Sequence, residues 1–158
     1  MIMAKNISMS YLRKNGMIPI YQGYYSNKIS SLEISSMLSC EKNSIVCVGG
    51  GPVKENLMGD TYLDLVSCGD CHLISLKTEI NKPKLINGAY WYFTPGYSFG
   101  WASDSRISQD KFKYDIFNMT RDESRLSMVV DGLNGGGRLG TLRLENTKKF
   151  FKYIFSNS

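Results

Sequence analysis

Apolar and polar positions alternate along this chain in short runs, and glycine or proline closes most of them. Residues 61–67 set Tyr62, Asp64 and Val66 on one side and Leu63 and Leu65 on the other, the period of two of a half-buried strand. Residues 71–76 follow Cys68, Gly69 and Asp70, so the two segments predict a hairpin. Residues 18–25 read as a strand, and residues 44–48 as a short buried strand that stops at a loop, Gly49-Gly50-Gly51-Pro52. A further hairpin is expected from residues 125–130 and 138–144 around the glycine run 132–137. Residues 150–155 read as the closing strand, although residues 148–155 also admit a helix. Residues 31–40 fit either a strand or one or two helical turns capped by Ser30 or Ser31. Residues 81–87 form a link, and residues 103–115 are polar and irregular. The sum is about eight short strands with at most one short helix. It predicts an all-β chain folded as a single antiparallel β-sandwich or jelly-roll-like domain over residues 1–158, with residues 1–16 as a loosely ordered N-terminal arm.

The densest apolar signal lies at residues 90–101, where seven of twelve side chains are aromatic and both tryptophans occur. Thr94-Pro95-Gly96-Tyr97 has the composition of a type II turn, with proline fixing φ at the first central position and glycine permitting positive φ at the second. A four-residue loop on that centre sets Phe93 opposite Ser98, Tyr92 opposite Phe99, Trp91 opposite Gly100 and Tyr90 opposite Trp101. One face then carries Tyr90, Tyr92, Phe99 and Trp101, with Tyr97 at its tip; the other carries Trp91 and Phe93 over Ser98 and Gly100. A change of one residue in loop length reverses the faces. Either both faces are buried, or the tyrosine-rich face stays partly exposed as a binding surface with Asp104 and Arg106 on its polar rim.

A chain of 158 residues with 42% hydrophobic and 21% charged side chains can build one core without staples. Its net charge of +5 permits a nucleic-acid or anionic partner without demanding one. The densest basic group is Lys148, Lys149 and Lys152. The bias toward lysine, asparagine and isoleucine fits an AT-rich genome, as in some protists and large DNA viruses. The first sixteen residues mix Lys5, Asn6, Arg13, Lys14 and Asn15 among apolar ones, so no secretory leader is expected, and no stretch is long enough to span a bilayer. These readings place the chain in a cytoplasm, or in host cytoplasm or a virion for a viral protein. Its four cysteines are then free thiols or metal ligands. The N-x-S/T matches at Asn6 and Asn118 carry no weight in that setting.

Three short motifs fail on context. Gly96-Tyr97-Ser98-Phe99-Gly100 matches the nucleophile elbow of hydrolases, but the one histidine, His72, precedes the serine and no helix comes after it. Gly135-Gly136-Gly137-Arg138-Leu139-Gly140 matches a dinucleotide fingerprint, but Thr141-Leu142-Arg143-Leu144 alternates like a strand where a helix is required. Cys68-Gly69-Asp70-Cys71-His72 matches a haem attachment pattern without the helical wrapper. The same cysteines, with Cys40 and Cys47, make a low-ranking zinc set of Cys40, Cys47, Cys68 and Cys71; no cofactor is otherwise expected. The carboxylates Asp60, Asp64, Asp104, Asp110 and Asp115 show no spacing that singles out a catalytic pair.

The leading functional expectation is a non-enzymatic binding or assembly domain. Its contact surface is the aromatic hairpin face of Tyr90, Tyr92, Tyr97, Phe99 and Trp101 with Asp104 and Arg106, and its partner is another protein chain (self-association included) or a glycan. The alternative is a nucleic-acid-binding protein using basic and aromatic residues. A carboxylate-dependent enzyme ranks last.

Overall fold

The computed structural model describes residues 3–54, 58–110 and 113–157. Among these the chain runs through β1 (Met3–Ser8), α1 (Met9–Lys14), β2 (Ile18–Tyr24), α2 (Ser31–Met37), β3 (Ile45–Pro52), β4 (Tyr62–Asp70) and α3 (Cys71–Ser75). It continues through β5 (Lys84–Ile86), β6 (Ala89–Thr94), β7 (Ser98–Ala102), β8 (Arg125–Val129), β9 (Gly137–Leu139), β10 (Leu142–Leu144) and β11 (Phe150–Ser156). The strands form two antiparallel sheets, ordered β1-β4-β3-β11-β2 and β10-β9-β8-β7-β6-β5. Val46, Val48, Leu65 and Ile154 of the first share one buried cluster with Trp91, Phe93, Phe99, Trp101, Leu126 and Met128 of the second. A separate cluster joins Met9 and Leu12 of α1 and Met17 to Cys47, Val66, Cys68, Tyr153 and Phe155.

Several local expectations change. Residues 3–14 of the expected arm form β1 and α1, while residues 1 and 2 lie outside the described residues. β1 pairs along β4, and the Ser8 hydroxyl then accepts the Tyr11 N–H at 3.1 Å, an N-cap that starts the helix. The glycine run after Val48 is strand rather than loop, pairing as β3 with Phe150–Tyr153 of β11. A Cβ on Gly51 would meet the Tyr62 carbonyl and the Leu63 Cα, so glycine is what lets β3 lie this close to β4. Residues 71–76 do not return as a hairpin arm. Asp70 caps α3 by accepting the Leu73 N–H at 2.9 Å, and a disulfide ties Cys71 to Cys40. α2 takes the helical alternative, capped by Ser30. The described residues thus hold three short helices where at most one was expected. The 138–144 arm breaks at Gly140 (φ +62°) into β9 and β10, and β5 appears within the expected link, which accounts for most of the additional strands.

Candidate functional site

The aromatic hairpin pairs Trp91 with Trp101, Tyr92 with Gly100, Phe93 with Phe99 and Thr94 with Ser98. Its turn has the expected centre: the Tyr97 N–H donates to the Thr94 carbonyl at 2.9 Å and Gly96 takes φ +81°. The loop holds three residues rather than four, so the register moves by one and the faces exchange partners. Trp91, Phe93, Phe99 and Trp101 all join the core between the sheets. Their ring centroids lie 6.5 Å apart for the two tryptophans and 5.4 Å apart for the two phenylalanines. Trp101 Nε1 donates to the Val48 carbonyl at 3.0 Å, which pins the hairpin to the opposite sheet. Tyr92 lies on the other face and is buried with Ala102 and Ile107. Tyr90 and Tyr97 are half-buried. The five rings expected on one surface are therefore divided between the inter-sheet core and the far face of the sheet.

That far face is covered by residues 103–110 and 113–124, and the cover is ionic. Arg125, fully buried on β8, donates from Nη2 to Asp104 at 2.7 Å, from Nη1 to Asp115 at 2.8 Å and from Nε to Asp122 at 2.7 Å. Arg138 on β9 donates to the carbonyls of Gly140, Phe117 and Asp122 at 2.7, 2.6 and 2.7 Å. Gln109 Nε2 donates to Ser98 Oγ at 2.8 Å, so the serine of the hydrolase-like motif is buried under an amide. Asp104 belongs to this network, and Arg106 lies over the Phe117 ring at 4.9 Å beside Asp104, to which it donates at 3.2 Å. Burial works against ionisation of Asp104 and Asp122. Hydrogen bonds outweigh it, from Arg106 and Arg125 in the first case and from Arg125 and the Ser124 N–H in the second, and hold both carboxyls below their usual range. The spacing of these aspartates carries no sign of their shared partner; the weak signal is a pair of arginines at strand positions aligned with polar neighbours.

The cysteines are paired, Cys40 with Cys71 and Cys47 with Cys68, and none is free. The expected free thiols and the four-thiolate zinc set are replaced by two disulfides. The second disulfide bridges register partners of β3 and β4, with Cα atoms 4.0 Å apart. Of the basic trio, Lys148 and Lys149 are exposed, but Lys152 is buried and donates to the Asn27 carbonyl at 2.6 Å. No helix among the described residues is long and apolar enough to cross a membrane.

A pocket of about 300 Å³ opens between α1 and the Cys47–Cys68 disulfide. The helix ends in a Schellman motif: the Gly16 N–H donates to Arg13 O at 3.0 Å and the Met17 N–H to Leu12 O at 3.0 Å, which folds Met17 back onto Leu12. Leu12, Met17, Ile45 and the disulfide make the apolar part of the lining. Tyr11, half exposed, and the carboxamides of Asn15, Asn87 and Asn157 complete it, so among the described residues the lining holds no charged side chain. Each amide is fixed by one backbone bond. Asn15 Nδ2 donates to Tyr11 O at 2.8 Å, Asn87 Nδ2 donates to Cys68 O at 3.2 Å, and Asn157 Oδ1 accepts the Ile45 N–H at 2.7 Å. Two amide oxygens and one amide NH₂ are thereby oriented and remain to bond a ligand. No family model matches this sequence, no curated protein is similar to it in sequence, and no solved structure matches its fold.

Proposed function

We propose that this chain is a non-enzymatic binding domain of sandwich type that holds a neutral, hydroxyl-rich ligand, a glycan, in the pocket beside the Cys47–Cys68 disulfide. One observation carries the reading: on a chain of net charge +5, the described residues line this pocket with an exposed tyrosine and three oriented carboxamides and with no charged side chain. A tyrosine ring offers a flat face to the C–H face of a sugar, and carboxamides pair with adjacent hydroxyls as donor and acceptor. The volume suits one or two sugar units. The two disulfides support an oxidising setting in place of the cytoplasm. Burial of Tyr92, Phe99 and Trp101 favours this pocket over the hairpin face as the binding surface. The test is calorimetric titration with a panel of mono- and disaccharides, beside Tyr11→Ala. We expect one sugar to bind and the variant to bind about tenfold more weakly, the loss of one aromatic contact. Absence of saccharide binding, or equal binding by Tyr11→Ala, refutes the assignment.

A further inference from the structure

A second surface, at the opposite chemical extreme, lies where β3 ends and β11 begins. The Val53 N–H donates to the Lys149 carbonyl at 2.9 Å and holds the two segments together. Pro52, Val53 and Phe150 supply the apolar lining of an open groove of about 650 Å³, and Lys54, Lys148 and Lys149 supply its charge. All three ammonium groups are exposed, and no ion pair among the described residues uses them. We propose that this groove docks an acidic peptide segment bearing an apolar side chain, with carboxylates on the lysines and the apolar residue against Pro52, Val53 and Phe150. The site is independent of the glycan pocket.

The aromatic residues here favour a peptide over a nucleic acid. Phe151 stacks on Tyr24 with centroids 5.0 Å apart, and Lys148 Nζ stands 6.0 Å from the centre of the same Tyr24 ring. Phe150 packs against the inter-sheet core. These rings are engaged within the domain rather than presented to bases, and the third lysine of the basic trio is buried. What the groove offers is electrostatic complementarity around an apolar lining, the chemistry of an acidic, partly apolar chain.

The experiment is fluorescence anisotropy with four labelled probes: peptides alternating Glu with Leu, Glu with Ser and Lys with Leu, and a single-stranded oligonucleotide of the same charge as the first. We expect the Glu–Leu peptide to bind tightest and to weaken as salt is raised. Combined Lys54→Gln, Lys148→Gln and Lys149→Gln should weaken it by about two- to fivefold per lysine, the range of exposed ion pairs. The three side chains are exposed, so an unchanged melting temperature verifies that the variant is folded. Tyr11→Ala should leave peptide binding intact, which separates this site from the glycan pocket. Equal or tighter binding of the oligonucleotide, equal binding of the Glu–Ser peptide, failure of the Glu–Leu peptide to bind, or an unaffected triple variant overturns the proposal.

Discussion

Arg125→Met removes the centre of the ionic cover while keeping an unbranched side chain on β8. Asp115, wholly buried, then keeps the N–H groups of Ser108 at 3.1 Å and Phe117 at 2.9 Å, and among the described residues its remaining ion pair is with Arg138 Nη1 at 3.8 Å. Asp104 and Asp122 have side chains 35% and 16% exposed and recover part of their hydration. The loss is therefore governed by the one carboxylate that water does not reach, and breaking a buried pair from one side costs about 3–5 kcal/mol. For a chain of this length each kcal/mol moves the melting temperature by about 2–4 °C, so we expect a drop of about 6–20 °C. Near-ultraviolet circular dichroism of the two buried tryptophans tracks the unfolding. The acid side is diagnostic too. Asp104 and Asp122 ionise more readily folded than unfolded, so they stabilise the fold above the unfolded carboxyl pKa of about 4, and that contribution is lost as pH falls below it. Arg125→Met should flatten this acid-side slope, and adding Asp115→Asn should recover part of the melting temperature by removing the stranded charge. A drop of less than about 2 °C with the acid slope unchanged refutes the assignment of Arg125 as the hub.

Lys152 gives the opposite pH signature. Burial pulls its pKa from 10.5 down to about 8, with the Glu33 charge acting against the shift, so the unfolded chain binds more protons between those values and stability rises with pH across that window. Urea midpoints taken between about pH 7.5 and 9.5, below the usual tyrosine pKa, should show that rise in the native chain and lose it in Lys152→Met; an identical slope in both refutes the reading. The disulfides close loops with sequence separations of 31 and 21 residues, worth about 3–4 kcal/mol each by chain entropy. Reduction should lower the urea midpoint, and alkylation should add mass only after reduction; labelling of the unreduced chain would contradict the pairing.

What the sequence showed and what it hid divide along physical lines. The period-two runs and the Ser30 cap are local, and β2, α2 and β8 stand close to where those signals put them. The Pro95-Gly96 turn was legible for the same reason, since both residues act through their own φ. Its loop length was not legible, because residues 97 and 98 carry no signal that decides between three and four residues, and that single step moved Phe99 and Trp101 to the other side of the sheet. The strand character of Gly49–Gly51 was hidden because it depends on how close β4 and β11 come, a non-local fact. The ionic cover was invisible for a related reason: arginine is ordinarily exposed, and only the fold brings three aspartates onto Arg125. The pocket beside the Cys47–Cys68 disulfide draws on Tyr11, Asn15, Asn87 and Asn157, which have no common spacing and meet only through the end of α1 and the disulfide.

The place of β11 has a kinetic consequence. It lies between β3 and β2, so Tyr153 meets Gly49 on one side and Gln22 on the other, across most of the chain. Until residues 150–156 arrive, β2 has no strand to pair with and β3 presents one whole edge unpaired. Contacts of such sequence separation close slowly, because the loop entropy must be overcome before any pairing rewards it. During synthesis, then, the five-stranded sheet waits on β11, the strand that joins β2 to the rest, and the exposed edge of β3, with its run of glycines, is the stretch most open to pairing with another copy in the meantime.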